Sequence, residues 1–424
     1  MGFMRYYSTR NKNEGVSFAS AALGGLAPDG GLYVPQEIPE FRAAVKSSLG
    51  AMSFTDIGFE TIRPWVGEDI PDSVLNDMVH SAFSFPAPLV RAGDRMVLEL
   101  FHGPTAAFKD FGARFMARAF SYLRRGEDKP LKILVATSGD TGGAVADGFY
   151  GVEGISVCVL YPRGRVSPLQ ERQITGLKGN ITALAVEGCF DDCQSLVKLA
   201  FGDRDLQKRL ALSSANSINI SRLLPQAVYY AAAAGQYVNA VFSVPSGNFG
   251  NLTAGLYAHK MGSPAAKFIA AANVNKTVPD YLESGRYEPR SPKATLSNAM
   301  DVGAPSNFER LTAHFSWEEM RRLILGASVT DDQTRKTIGE TFSGCGYYLD
   351  PHSAVAWLAV DMCSGSLTGQ KPVVVSTAHP AKFAETVEPI TGPVPVPPSL
   401  KKAMERQVEA RTIPAELEAL KECL

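Results

Sequence analysis

The sequence predicts an α/β fold in which two parallel sheets are each covered on both faces by helices, with an additional amino-terminal segment. Three observations carry this. Near-continuous apolar, β-rich runs recur at KILVAT (132–137), ISVCVL (155–160), ITALAV (181–186), NAVFSVP (239–245), KFIAAA (267–272) and KPVVVST (371–377). Most are followed by a helical pattern, such as TGGAVADGFYG or NLTAGLYAHKMG, and that alternation is the signature of crossover-connected parallel strands. Finally, 424 residues with 45% hydrophobic content hold more strands and core than one such sheet needs.

Taken in order, residues 1 to about 90 read differently from the rest, with LAPDGGLYVP (26–35) a Pro/Gly turn region and PDSVLNDMVHSAF (71–83) a helix. The stretch MGFMRYYSTRNKNEG lacks the apolar core of a secretory signal, and Tyr6 stands where a myristoylation motif requires Ser or Thr, so the protein is expected to stay cytoplasmic. MVLEL (96–100) reads as a buried strand and DFGARFMARAFSYL (110–123) as an amphipathic helix. The window AVYYAAAAGQYVNAVFSV (227–244) contains Gly235, Gln236 and Asn239 and divides into a helix, a connection and a strand rather than a membrane span. SGRYEPRSPKATLSNAMDVGAPSNFER (284–310) is long for an irregular loop, a length that usually signals function. The tail from Pro393 onward reads as a late addition.

Charge and cysteine usage narrow the function. The net charge is -1 with no long block of either sign, which gives no electrostatic case for nucleic acid or a membrane surface and favours a small neutral or acidic substrate. Six cysteines include no CxxC pair, Cys189 and Cys193 being the closest, and six histidines form no HExxH or HxH, so no disulfide framework or metal is expected.

Four places carry chemistry. Lys109 lies in a strand-to-helix loop, beside Phe108 and two places before Phe111. An ammonium held among apolar rings is desolvated, which lowers its pKa and makes the neutral amine available as nucleophile or base. VPSGNFGN (244–251) joins a strand to a helix, where glycines permit close approach and the helix start offers unpaired N–H groups, a cradle for phosphate. ATSGDTGGAVADGF (136–149) repeats that arrangement and suits a second anion such as a substrate carboxylate, although Asp140 and Thr141 read equally well as helix caps. Thr377 stands at the carboxyl end of KPVVVST, where open α/β sheets bind ligands. The chain contains no GxxxxGK[ST] and no GxGxxG, so nucleotide loops are unsupported. A reactive lysine, a phosphate cradle, an anion loop and a strand-end hydroxyl together suit pyridoxal 5'-phosphate.

HGPTAAFKDFGARF, ATSGDTGG, VPSGNFGN and STAHPAKF, with YYSTRN and LAPDGGLYVP, resemble the threonine synthases of the fold type II pyridoxal phosphate group, related to the tryptophan synthase β subunit. YPRGRVSPLQERQ, SSANSINISRLLPQ and GAPSNFER extend the resemblance over about residues 5 to 390. It implies a lyase of threonine biosynthesis that turns O-phospho-L-homoserine and water into L-threonine and phosphate by γ-elimination and β-addition. Lys109 would form the Schiff base and carry protons; Gly247, Asn248, Phe249, Gly250 and Asn251 would hold the cofactor phosphate, and Thr377 would face the pyridine nitrogen. Ser138, Gly139, Asp140 and Thr141 would bind the substrate carboxylate. Asn216, Asn219 and Arg222, at the start of a helix expected to run to about Ala234, would take the substrate phosphate, with Lys178, Arg165 and Asn307 next in line. The same fold also suits an O-phosphohomoserine phospho-lyase or a threonine/serine dehydratase. The implied division is residues 1–90 as the family-specific segment, 110–212 as the smaller α/β domain, and 91–109 with 213–424 as the larger, cofactor-binding one, in a monomer or homodimer.

Overall fold

A computed structural model describes residues 4–127 and 129–424, so the first three residues of the amino-terminal stretch read above lie outside it. Two sheets organise the chain. The larger has six strands in the spatial order Ile324–Ser328, Ala265–Ala272, Ala240–Pro245, Lys371–Ser376, Arg95–Glu99 and Leu89–Ala92. Its pairings are parallel except for the last, an antiparallel hairpin. The smaller sheet is parallel throughout, ordered Arg411–Pro414, Ile181–Glu187, Ile155–Pro162, Leu131–Ala136 and Ala211–Ser214. Every apolar run named from the sequence coincides with one of these strands to within two residues at either end. Their continuous hydrophobicity follows from helices packed on both faces, which leaves neither side of a central strand in water.

The helix Lys109–Leu123 connects the two sheets. It buries Phe111, Phe115, Met116 and Phe120 at helical spacing. Burying four large side chains of this kind stabilises by roughly 1.5–3 kcal/mol each before entropy is counted, so packing holds the helix in place. Ahead of it, Tyr6–Ser8 pairs with Tyr33–Pro35, and the expected helix appears at Asp72–Ala82. Residues 285–297 are irregular, and a polar cluster anchors the end of this loop, with Asn273 Nδ2 donating to Thr295, Ser297 and Asp301.

Two expectations change. The helix expected to run unbroken to Ala234 is three pieces: Ile220–Leu223, a 3₁₀ turn Leu224–Gln226, and Ala227–Gln236. Pro225 causes the break, since it lacks an N–H and crowds the preceding turn. The tail, grouped above with the larger sheet, crosses to the smaller one. Its helix Pro398–Met404 packs on Pro168–Thr175, and Arg172 Nη1 holds the carbonyls of Met404 and Arg406 at 2.8 and 2.9 Å. That grip aims Arg411–Pro414 at the open edge of Ile181–Glu187. Among the described residues no helix is long and apolar enough to cross a membrane.

Candidate active site

Three neighbouring strands of the larger sheet, Ala240–Pro245, Lys371–Ser376 and Arg95–Glu99, point their carboxyl ends in one direction, and each end carries one of the predicted motifs. From the smaller sheet, Leu131–Ala136 adds the SGDTGG loop, and its neighbour Ala211–Ser214 adds the stretch that reaches Arg222. Parallel pairing therefore brings together segments up to 270 residues apart in the chain, such as those at 107 and 377. Phe108 N–H donates to the carbonyl of Thr377 at 2.9 Å, and Ala107 forms a bridge with Ala378.

Lys109 opens its helix with Nζ 4.6 Å from the centre of the Phe108 ring. Phe111 instead faces the core among Phe54, Phe83, Phe85 and Tyr229, so only one of the two expected rings meets the amine. The ionic partner is Asp140, whose Oδ2 lies 3.6 Å from Nζ. Burial lowers the lysine pKa; Asp140 opposes that shift, while Lys382 and Arg222 add to it.

Asp140 faces these lysines, which corrects its expected role. Its Oδ1 accepts from Lys382 Nζ at 2.7 Å and from Gln170 Nε2 at 2.9 Å. Burial alone would raise its pKa, but Lys382 and Lys109 outweigh burial and hold it well below the usual carboxylate range. Its oxygens are thereby occupied, leaving its main-chain N–H for a substrate carboxylate. Thr137, not Asp140 or Thr141, supplies the local cap: its Oγ1 accepts from Gly139 N–H at 3.0 Å and Gly142 N–H at 2.9 Å. The hydroxyls of Ser138 and Thr141 have no partner among the described residues. Gly139 adopts φ 138°, and a Cβ there would meet the Gln170 amide at 2.4 Å, so the loop admits no side chain.

The PSGNFG loop fits a phosphate. None of the main-chain N–H groups of Gly247, Asn248, Phe249, Gly250 and Asn251 finds an acceptor among the described residues. Phe249 takes the left-handed conformation, φ 58°, immediately before the helix Gly250–Lys260. A Cβ on Gly247 would come within 2.6 Å of the Ala299 carbonyl. The Asn248 side chain ties the loop to Ser217 and to Ser306 N–H. Asn251 accepts from the hydroxyls of Tyr229 and Tyr230 at 2.5 and 2.9 Å, which turns its side chain inward, and its Nδ2 is buried without a partner. Free N–H groups at a helix start are the donors a phosphate dianion requires. Thr377 is 6% exposed at the strand end, and its hydroxyl has no partner among the described residues.

The three residues expected at the substrate phosphate part company. Asn219 is fully buried and caps the following turn: Oδ1 accepts from Ser221 N–H and Oγ, and Nδ2 donates to the carbonyls of Ala22 and Ser214. Its hydrogen-bonding capacity is filled, so it is a structural residue. Asn216 clasps the main chain of Ala136, Nδ2 donating to the carbonyl at 2.7 Å and Oδ1 accepting from the N–H at 3.3 Å. It anchors a strand end. Arg222 differs: it is 3% exposed, donates only through Nη1 to the Ala215 carbonyl at 2.6 Å, and leaves Nε without a partner. Burial pushes its pKa down to about 10. Of the reserves, Lys178 is exposed and paired with Glu409 at 2.8 Å, Arg165 is exposed, and Asn307 donates to the Asn248 carbonyl at 3.1 Å.

Beside Lys109, Asp110 is buried and accepts from Thr105 N–H at 2.9 Å and Thr105 Oγ1 at 2.6 Å. Burial outweighs both bonds and raises its pKa to about 6. A carboxyl whose folded pKa exceeds its unfolded value stabilises the fold at low pH, and that stability is lost as pH rises from about 4 through 6. Replacing Asp110 with Asn is therefore expected to gain on the wild type across that window, by on the order of 2–3 kcal/mol at neutral pH. Urea unfolding at pH 4 and pH 7 measures the difference; a gap independent of pH would refute the assignment.

Residues 94–377 match the model described as pyridoxal-phosphate dependent enzyme, residues 5–83 the threonine synthase N terminus, and residues 353–424 the threonine synthase C-terminal model. The threonine synthase of Escherichia coli is 44% identical over 99% of both chains. This chain belongs to the threonine synthase family.

Solved family structures agree: the Escherichia coli threonine synthase superposes with a TM-score of 0.92 over 99% of both chains. The pyridoxal phosphate-bound enzyme from Brucella melitensis, 38% identical, gives 0.91 over 99% of this chain and 98% of that one. The protein is accordingly a pyridoxal phosphate-dependent enzyme, a lyase of amino-acid biosynthesis. The tail, read above as outside the resemblance, lies within it, since the threonine synthase C-terminal model covers residues 353–424.

Sequence reasoning missed Lys382 and Gln170. Both sit in quoted motifs, STAHPAKF and YPRGRVSPLQERQ, but nothing local to either signals a buried partner.

Proposed function

We propose that this family member converts O-phospho-L-homoserine and water to L-threonine and phosphate, with Lys109 as the amine that carries the cofactor and moves the protons. The observation that carries this reading is a desolvated Lys109 amine 3.6 Å from Asp140 of the SGDTGG loop, at a strand end whose neighbour in the sheet ends at the Thr377 hydroxyl and whose next neighbour ends at the free N–H cradle. Gly247 to Asn251 would hold the cofactor phosphate through main-chain N–H groups, and Thr377 would face the pyridine nitrogen. A hydroxyl there does not favour a protonated ring, unlike a carboxylate. Pyridoxal phosphate, when bound, supplies an electron sink that acidifies the substrate Cα. The Ser138 and Thr141 hydroxyls and the Asp140 N–H orient the substrate carboxylate, while Gly139, whose N–H is taken by Thr137 Oγ1, serves by leaving the loop without a side chain. Lys109 would accept the Cα proton and then one from Cβ, return one to Cγ once phosphate has left, and return the other to Cα after water has added at Cβ. One amine serves these transfers because desolvation brings its pKa toward the working pH.

Arg222 is proposed as a ligand of the substrate phosphate, which leaves from Cγ. It is a buried guanidinium with donors to spare, and guanidinium matches phosphate in a bidentate way. Arg222→Ala is expected to lower kcat/KM for O-phosphohomoserine by about tenfold to a hundredfold while leaving cofactor binding and slow deamination of unphosphorylated amino acids nearly intact. Proportional loss on both substrate types would make Arg222 structural.

Incubating the purified protein with O-phosphohomoserine and identifying the products tests the whole reading. Threonine with phosphate supports it; 2-oxobutyrate with phosphate indicates a phospho-lyase instead. A cytoplasmic location and a monomeric or homodimeric state are part of the proposal, the latter checked by light scattering.

A further inference from the structure

Lys382 has no role in the scheme above, yet it is the most deeply enclosed cation near the reaction centre. Its side chain is 0% exposed. Nζ reaches Asp140 Oδ1 at 2.7 Å and the Thr105 carbonyl at 2.8 Å. The backbone around it is fixed as well, because Ser167 Oγ donates to the Lys382 carbonyl at 3.3 Å and His379 caps the turn Pro380–Phe383 that carries it. That turn begins just beyond Thr377, after Ala378 and His379, so the loop that offers a hydroxyl to the site also delivers this ammonium.

Asp140 thus stands between two lysines, with Oδ1 on Lys382 and Oδ2 3.6 Å from Lys109. One carboxylate can neutralise only one of them. Distance decides which: Lys382 Nζ lies 2.7 Å from Asp140 with the Thr105 carbonyl as a second acceptor, whereas Lys109 Nζ stands off at 3.6 Å. We propose that Lys382 is a positioning residue that neutralises Asp140 and so leaves Lys109 free to stand as the neutral amine. This rests on the reading that Lys109 carries the cofactor. The charged groups facing Lys109 are Asp140, Lys382 and Arg222, and only Asp140 favours its protonation. Lys382 also lowers the pKa of Asp110 and of His379, neither of which is among the groups that shift Lys109. Without Lys382, Asp140 would turn its undivided charge on Lys109.

The test follows protonation of Lys109 itself, by competitive acetylation of the full-length chain freed of cofactor, between pH 6 and 11, read by peptide mass spectrometry. Wild type is expected to label Lys109 with a midpoint below that of an ordinary lysine. Lys382→Met should move the midpoint up by about 1–3 pH units, whereas Lys382→Arg, which keeps the charge, should restore it. Should Lys382→Met alone fail to fold, the double variant Lys382→Met/Asp140→Asn removes both charges and is expected to keep the low midpoint of the wild type. An unchanged midpoint in Lys382→Met, or a raised one in the double variant, would overturn the proposal. Neither readout depends on threonine formation. A failed cofactor assignment would show separately, as a borohydride-fixed link on a different lysine.

Discussion

Replacing Lys109 with alanine is expected to give a folded, colourless protein that fixes no pyridoxal phosphate under borohydride and forms threonine about 10³-fold more slowly or worse. The fold should survive because Lys109 is only the first residue of its helix, which is held by Phe111, Phe115, Met116 and Phe120. Asp140 keeps Lys382 as its partner, so no buried charge is orphaned. Two functions disappear together, the covalent hold on the cofactor and the proton carrier, and no nearby group replaces them. Lys382 cannot, since its amine is held between Asp140 and the Thr105 carbonyl. Borohydride reduction followed by peptide mapping checks the first function and product analysis the second. A wild-type adduct on Lys382, or on any lysine other than Lys109, would refute the assignment.

The second large effect is on stability. Asp140→Ala is expected to destabilise the protein by about 3–5 kcal/mol, the usual penalty when one member of a buried ion pair is removed and its partner is left uncompensated. Lys382 would retain only the Thr105 carbonyl. Because Asp140 follows a strand of the smaller sheet and Lys382 a strand of the larger, the loss falls where the two sheets meet. The sign with pH also follows. A carboxylate held below its ordinary range contributes stability above about pH 4 and loses it as pH falls. The variant should therefore lose less stability on acidification than the wild type. Urea unfolding at pH 7 and pH 3.5 checks both statements; a variant within about 0.5 kcal/mol of wild type at neutral pH would show that the pair does not hold the sheets together.

Much of the fold was legible because the central strands are long, apolar and followed by helical patterns, a signal that depends on neither partner nor register. The edge strands were not. Leu89–Ala92, Ala211–Ser214, Ile324–Ser328 and Arg411–Pro414 have four or five residues and are partly in water, so they carry too little periodicity to stand out. Within the site, loops were legible where glycines and hydroxyls cluster at strand ends. Side-chain duties were harder. An asparagine ahead of a helix looks the same whether it caps the helix or binds a ligand, and only the four filled bonds of Asn219 decide. Lys382 was invisible for a different reason: its carboxylate lies more than 200 residues earlier in the chain, and no spacing rule spans that distance.

The crossing of the tail to the smaller sheet also bears on how the chain matures during synthesis. Four of the five strands of that sheet are made by residue 214, but the fifth arrives only with residues 411 to 414. Until then Ile181–Glu187 presents an open row of main-chain donors and acceptors from a strongly β-forming run, the kind of border on which strands of other nascent chains can add. Translation halted before that point would leave a nearly complete molecule with an adhesive rim, so the last few dozen residues act as a stopper against aggregation, and premature truncation should show itself in inclusion bodies before it shows itself in lost catalysis.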